Sequence, residues 1–145
     1  MCQRSLFALI LTRRQPPTGK SRAELVIYDP FFCDGATVRH LRGLGFETVI
    51  NRNRDFYKDL RDGDIPAHDV LVTNPPYSGD HKVQAIDFAV EGNHGRPWLF
   101  LLPNYCVTKR YYTARGAHLL SVPNHIMTMC YDFTVYRILR FHIPT

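Results

Sequence analysis

The chain has 145 residues, 45% of them hydrophobic and 21% charged, a size that supports one globular domain with its own core and excludes two full ones. Its longest uninterrupted apolar runs, Leu6 to Leu11 and Trp98 to Leu102, fall far short of the roughly 18 residues that cross a bilayer as a helix, so no membrane span is expected. The net charge of +5 is unevenly spread: residues 1–23 carry five bases and no acid, residues 24–94 carry 7 bases against 12 acids, and residues 95–145 carry 6 bases against Asp132 alone.

Basic ends beside an acidic body suit a phosphate-bearing partner, and they equally suit a solvated surface. The four cysteines form no C-x-x-C pair and no asparagine begins a glycosylation sequon, so a reducing, intracellular setting is expected, cytoplasmic or nuclear. The acid-free, arginine-containing stretch up to Arg22 also admits a mitochondrial address; a disordered tail ended by Pro16-Pro17 weighs the same. Residues 1–23 are therefore read as a basic tail and residues 24–145 as the domain. Thr18-Gly19-Lys20-Ser21 is not a phosphate loop, because Arg14 stands where its first glycine belongs.

Leu25 to Tyr28 is a short β-branched run ending at Asp29-Pro30, a buried strand leading into a turn. Asp34 can cap a helix whose Val38, Leu41 and Leu44 share a face and which Gly45 ends, and Phe46 to Ile50 follows as a second strand. This strand, helix, strand order implies parallel pairing. Phe56 to Leu60 offers little more than a helical turn. Asp69 to Thr73 reads as a strand, Val83, Ile86, Ala89 and Val90 as one helical face, and Trp98 to Leu102 as a further strand. Nearly continuous apolar strands suit a sheet covered by helices on both faces. Past Tyr112 the pattern weakens, leaving Phe133 to Ile143 as a final strand or hairpin.

In an open α/β sheet, ligands bind outside the carboxyl ends of the strands. The readable ends are Asp29 to Thr37, Asn51 to Tyr57, Asn74 to Ser78 and Pro103-Asn104-Tyr105. In Asn74-Pro75-Pro76-Tyr77, the Asn74 side-chain oxygen and the Pro75 carbonyl can each accept an N–H from an amine. Holding the amine this way favours sp³ character at a nitrogen whose lone pair is otherwise delocalised. The prolines fix φ and so aim the carbonyl, and Tyr77 can stack on a planar base. The plain structural alternative is a proline-rich turn that ends a strand over a packed aromatic.

Asn74-Pro75-Pro76-Tyr77 after Val-Leu-Val-Thr resembles the class I S-adenosylmethionine-dependent methyltransferases, in particular the amino-group enzymes with a (D/N/S)-P-P-(Y/F) motif. Upstream, Asp29-Pro30-Phe31 through Gly35-Ala36-Thr37 is similar to their D-P-F-x-G-x-G-T cofactor loop. Asp55-Phe56 is similar to the D-F pair that flanks the cofactor adenine in adenine N6 methyltransferases. The resemblance spans roughly residues 25 to 105. It implies a Rossmann-like α/β fold, an open, mainly parallel sheet with helices on both faces; only about 40 residues follow the strand at Trp98, so a short or truncated C-terminal part is expected. It implies methyl transfer from S-adenosylmethionine to an exocyclic amine, with adenine N6 in RNA or DNA as the leading target. Asn74, Pro75, Pro76 and Tyr77 would form the catalytic turn. Asp29, Pro30, Phe31, Gly35, Asn51, Asp55 and Phe56 would bind the cofactor, with Asp29 on its methionine ammonium. Nucleic acid is the implied partner, with a protein partner supplying substrate recognition.

The same motif serves glutamine-amide methylation in proteins, so a protein glutamine N-methyltransferase is an alternative. The loop glycines are reduced to Gly35, and Asn51 or Arg52 replaces the carboxylate that usually grips the ribose. These departures keep open a noncatalytic methyltransferase-like subunit that binds RNA or a protein. Lys109-Arg110-Tyr111-Tyr112 with Arg115 fits a single-stranded backbone or a solvated helix start. The seven histidines lack H-x-x-x-H or H-E-x-x-H spacing, so no metal site is expected.

Overall fold

A computed structural model describes residues 19–102, residue 106 and the backbone of two strands at residues 126–131 and 135–140. Strands and helices alternate as far as the strand at Trp98–Leu102, and two further strands follow, a small α/β fold. Contacts concentrate in two compact units, residues 1–72 and 73–145.

The first unit holds β1 (Val26–Tyr28), α1 (Ala36–Arg42), β2 (Thr48–Ile50), α2 (Phe56–Asp62) and the start of β3 (Val70–Thr73). Strand β1 lies between two parallel neighbours: Ile27 is level with Val49 of β2 and with Val70 of β3. Parallel neighbours need a crossover between them, and the helices supply it. Ile27 and Tyr28 are buried, as are Val70, Leu71 and Val72.

Helix α1 buries Leu41, as its spacing predicts, with Val38 and Leu44 half-buried. It stops at Arg42, three residues before the expected Gly45, and the Phe46 N–H returns to the Leu41 carbonyl at 3.2 Å. Gly45, at φ +88°, turns the chain so that Phe46 drops fully into the core. Burying that ring stabilises the unit by about 2–3 kcal/mol, enough to set where the helix gives way.

Helix α2 is longer than the single turn expected from sequence, at seven residues. Its ends explain the length. Asp55 caps it by accepting the N–H groups of Tyr57 and Lys58 at 2.9 and 3.3 Å, and Gly63, at φ +71°, closes it. Arg54 spans the helix, pairing with buried Asp59 and exposed Asp64, each at 2.7 Å.

The amino ends of β1 and β3 are joined through Asp69. Its carboxylate accepts the Val26 N–H at 2.9 Å and the Lys20 ammonium at 2.7 and 2.8 Å, while its own N–H donates to the Val26 carbonyl. Partial burial pushes the Asp69 carboxyl up, but Lys20 and the Val26 N–H outweigh it and hold the group below its ordinary value. A depressed native pKa adds stability above the ordinary carboxylate range and loses it as pH falls through the native value. Asp69→Asn should therefore remove about 1–2 kcal/mol at neutral pH and flatten the acid side of the stability profile, read by denaturant titration across pH.

The second unit takes the last residue of β3, then α3 (His81–Asp87), which runs into one π-helical turn at Phe88–Gly92, then β4 (Trp98–Leu102), β5 (Ile126–Tyr131) and β6 (Val135–Arg140). The expected face of Val83, Ile86, Ala89 and Val90 is partly displaced: Lys82, Ala85, Ile86, Phe88 and Ala89 are buried, whereas Val83 and Val90 are half-buried. A π turn adds a residue per turn and so rotates the helix register after Asp87. All five residues of β4 are buried, as a strand covered on both faces requires. Strand β5 pairs parallel with β4, and β6 pairs antiparallel with β5, with Thr128 opposite Ile138. Among the described residues, no helix is long and apolar enough to cross a membrane.

Candidate functional site

The seven residues expected to bind a cofactor all fall in the first unit, six on the loops that leave the carboxyl ends of β1 and β2 and Phe56 as the first residue of α2. Asp29 follows β1 directly and is 4% exposed. Its N–H donates to the Ile50 carbonyl at 2.9 Å, and its Oδ1 accepts the Phe31 N–H at 3.3 Å. Pro30 is buried beside it.

Laid on the chain without a gap from Asp29, the pattern D-P-F-x-G-x-G places its glycines at Cys33 and Gly35. Both have the positive φ that glycine adopts freely, +50° at Cys33 and +70° at Gly35. The loop thus keeps a glycine-type backbone at a position occupied by cysteine. A left-handed conformation costs an L-residue about 1–2 kcal/mol, so Cys33→Gly should raise stability by about 1 kcal/mol in thermal unfolding. Gly35→Ala should lower it by about 1–2 kcal/mol, because the added Cβ is also 3.1 Å from the Phe32 ring. Asp34, the expected cap, does help to start α1, though from one residue outside the observed cap: its Oδ1 accepts the Ala36 N–H at 3.0 Å, and Gly35 takes the cap position.

Asn51, the first residue after β2, fastens the two loops together. Its Nδ2 donates to the carbonyls of Asp29 and Phe31 at 3.0 and 3.2 Å. Its Oδ1 is buried and meets no hydrogen-bond donor among the described residues. Beyond it, Asp55 is exposed and spends Oδ1 on the α2 cap, and Phe56 is buried edge-on against half-buried Phe31 at 5.3 Å. Tyr57 packs on both rings. Burial, and then the Asp55 charge, push the Tyr57 phenol up to about 12, so it stays protonated at neutral pH. Beneath the loops Tyr28 packs on His68 at 5.1 Å, and burial followed by the Asp59 charge drives its phenol further up still.

The second unit holds the other candidate group, on the turn that follows β3. Pro75 is buried, Asn74 and Pro76 are half-buried, and Tyr77 is 42% exposed. The Tyr77 hydroxyl donates to Asn74 Oδ1 at 2.8 Å, so the oxygen expected to hold an amine already accepts one hydrogen bond. The Lys82 ammonium donates to the Tyr77 carbonyl, and the rest of Lys82 is buried along α3. Sequence reading did not select Lys82. Its signal was there: a lysine three, four and seven residues before Ala85, Ile86 and Ala89 stands on the apolar face of its helix. Pro103-Asn104-Tyr105 and the Lys109 to Arg115 segment lie outside the described residues.

No protein-family model matches the sequence, and no curated protein or solved structure matches it.

Proposed function

We propose that the chain is a Rossmann-like, S-adenosylmethionine-dependent methyltransferase acting on an exocyclic amine, with adenine N6 in RNA or DNA as its target. The observation that carries this reading is the Asn74-Pro75-Pro76-Tyr77 turn at the end of β3, which offers a carboxamide oxygen and a proline carbonyl beside a half-exposed aromatic ring. Asn74 Oδ1 and the Pro75 carbonyl would accept the two N–H groups of the amine and so direct its lone pair. The prolines keep the carbonyl fixed, and the Tyr77 ring supplies a face for the base.

The first unit's loops suit the cofactor in two respects. The β1 loop has glycine-type backbone at Cys33 and Gly35, which permits close approach of a ligand, and buried Asn51 Oδ1 is an acceptor that a ribose hydroxyl would satisfy. Asp29 would bind the methionine ammonium, flanked by Pro30 and Phe31, and the Asp55-Phe56 pair would face the adenine. When bound, S-adenosylmethionine supplies an electrophilic methyl group on sulfonium. The basic ends favour a nucleic-acid partner, and the cysteine spacing an intracellular setting.

A second reading, a methyltransferase-like subunit that binds RNA or protein without catalysis, is favoured by the commitment of Asn51 and Asp55 to backbone groups. Calorimetric titration of S-adenosylmethionine into the full chain at low ionic strength separates the two. The catalytic reading expects a dissociation constant in the micromolar range that Asp29→Ala weakens at least about tenfold. Absence of binding up to millimolar cofactor overturns it and leaves the noncatalytic one.

A further inference from the structure

We propose that the Tyr77 hydroxyl is the resident occupant of the Asn74 acceptor and that an incoming amine must displace it, so that this hydroxyl sets how strongly the site selects for an amino group. The inference rests on the amine-holding role given above to Asn74. The hydroxyl donates to Asn74 Oδ1 at 2.8 Å, and the ring that carries it is 42% exposed. An amine that takes the lone pair of Asn74 Oδ1 now held by the hydroxyl displaces it and frees the ring to pack on the base.

The backbone beneath is fastened separately. Lys82, buried along α3, donates its ammonium to the Tyr77 carbonyl, so release swings the side chain while the Asn74 to Tyr77 turn stays in place. An exposed, neutral hydrogen bond contributes little net stability, so a ligand can break it readily. Only a ligand that brings its own N–H donor replaces what is lost. A planar base without an amino group brings nothing to exchange, and the hydroxyl keeps its place on Asn74 Oδ1 when such a base binds.

The test uses the full chain and two nucleotides, adenosine monophosphate and purine riboside monophosphate, which differ only in the amino group. Tyr77→Phe keeps the ring and removes the competitor. It should tighten adenosine monophosphate roughly fivefold and leave the purine nucleotide unchanged. If wild type prefers the amino nucleotide and Tyr77→Phe does not widen that preference, displacement is overturned while the Asn74 role stands. If wild type and Asn74→Ala bind the two nucleotides alike, or neither nucleotide binds any variant, the amine-holding role itself fails and the displacement falls with it.

A ligand-free control checks the contact. In thermal unfolding, Asn74→Ala and Tyr77→Phe should each lower the midpoint by about 3 °C, and the double variant should be no worse than the single ones. Strictly additive shifts would show that the hydroxyl and the carboxamide are not joined, and would overturn the proposal.

Discussion

Asn74→Ala should reduce methyl transfer to an adenine-containing acceptor by at least about 100-fold while lowering oligonucleotide binding far less, since phosphate contacts supply most of that affinity. The expected size follows from removing one preorganised polar contact to the group whose charge changes in the transition state. The variant should remain folded, because the carboxamide is half-buried at a turn and the Tyr77 hydroxyl that loses its acceptor is exposed and can bond to water. Asn74→Asp keeps an acceptor oxygen at the same place and should retain more activity than the alanine variant. Methyl incorporation from labelled S-adenosylmethionine, run beside a filter-binding assay on the same oligonucleotide, measures both quantities. An alanine variant with full activity would remove Asn74 from the chemistry.

Asn51→Asp should destabilise the protein by about 3 kcal/mol at neutral pH although it restores the acid expected at the end of β2. The Asn51 amide nitrogen donates to two carbonyls, of Asp29 and Phe31, and a carboxylate there would turn two attractive contacts into repulsive ones. Its Oδ1 position is buried as well, so the new charge would be poorly solvated. Repulsion and burial raise the aspartate pKa in the folded state above its unfolded value. Relative stability is then highest below the unfolded pKa and is lost as pH rises through the folded one, so the defect should shrink on acidification. Urea unfolding at neutral and mildly acidic pH reads the effect directly. An Asn51→Asp protein as stable as wild type at neutral pH would show that the two carbonyl contacts do not hold the loops.

The parts of the fold that announce themselves in sequence are those where one pattern dominates. Val26–Tyr28, Val70–Thr73 and Trp98–Leu102 are apolar runs bounded by turn residues, and each is a strand within a residue of its expected limits. Helix α2 was under-read because its length rests on Asp55, Gly63 and the Arg54 ion pairs, terms that hydrophobic spacing does not record. Strand β5 gave little signal, since Ile126–Tyr131 has one β-branched aliphatic residue and relies on methionine, threonine and cysteine. At the candidate site, the motif residues were legible as types and their occupations were not. Nothing in the letters shows that Asn51 turns its amide back onto the β1 loop, that Asp55 caps α2, or that Tyr77 and Asn74 bond to each other. Such pairings depend on which backbone groups the fold leaves within reach. Cys33 is a different case: the sequence reads as having lost loop glycines, with Asp34 and Ala36 in the neighbouring places, and the glycine-type φ outside Gly35 falls on Cys33 instead.

Strands β1 and β3 begin at the Lys20–Asp69–Val26 junction, and β1 and β2 end in the two loops on which the proposed cofactor residues sit. Anchorage and recognition therefore occupy opposite ends of β1. Such a separation bears on evolvability: stability held at the amino ends is a reserve against which the carboxyl-end loops can vary, including into strained forms such as the one at Cys33. A library of loop variants built on an Asp69→Asn background should retain fewer folded members than the same library on wild type, because each strained loop would draw on a smaller reserve.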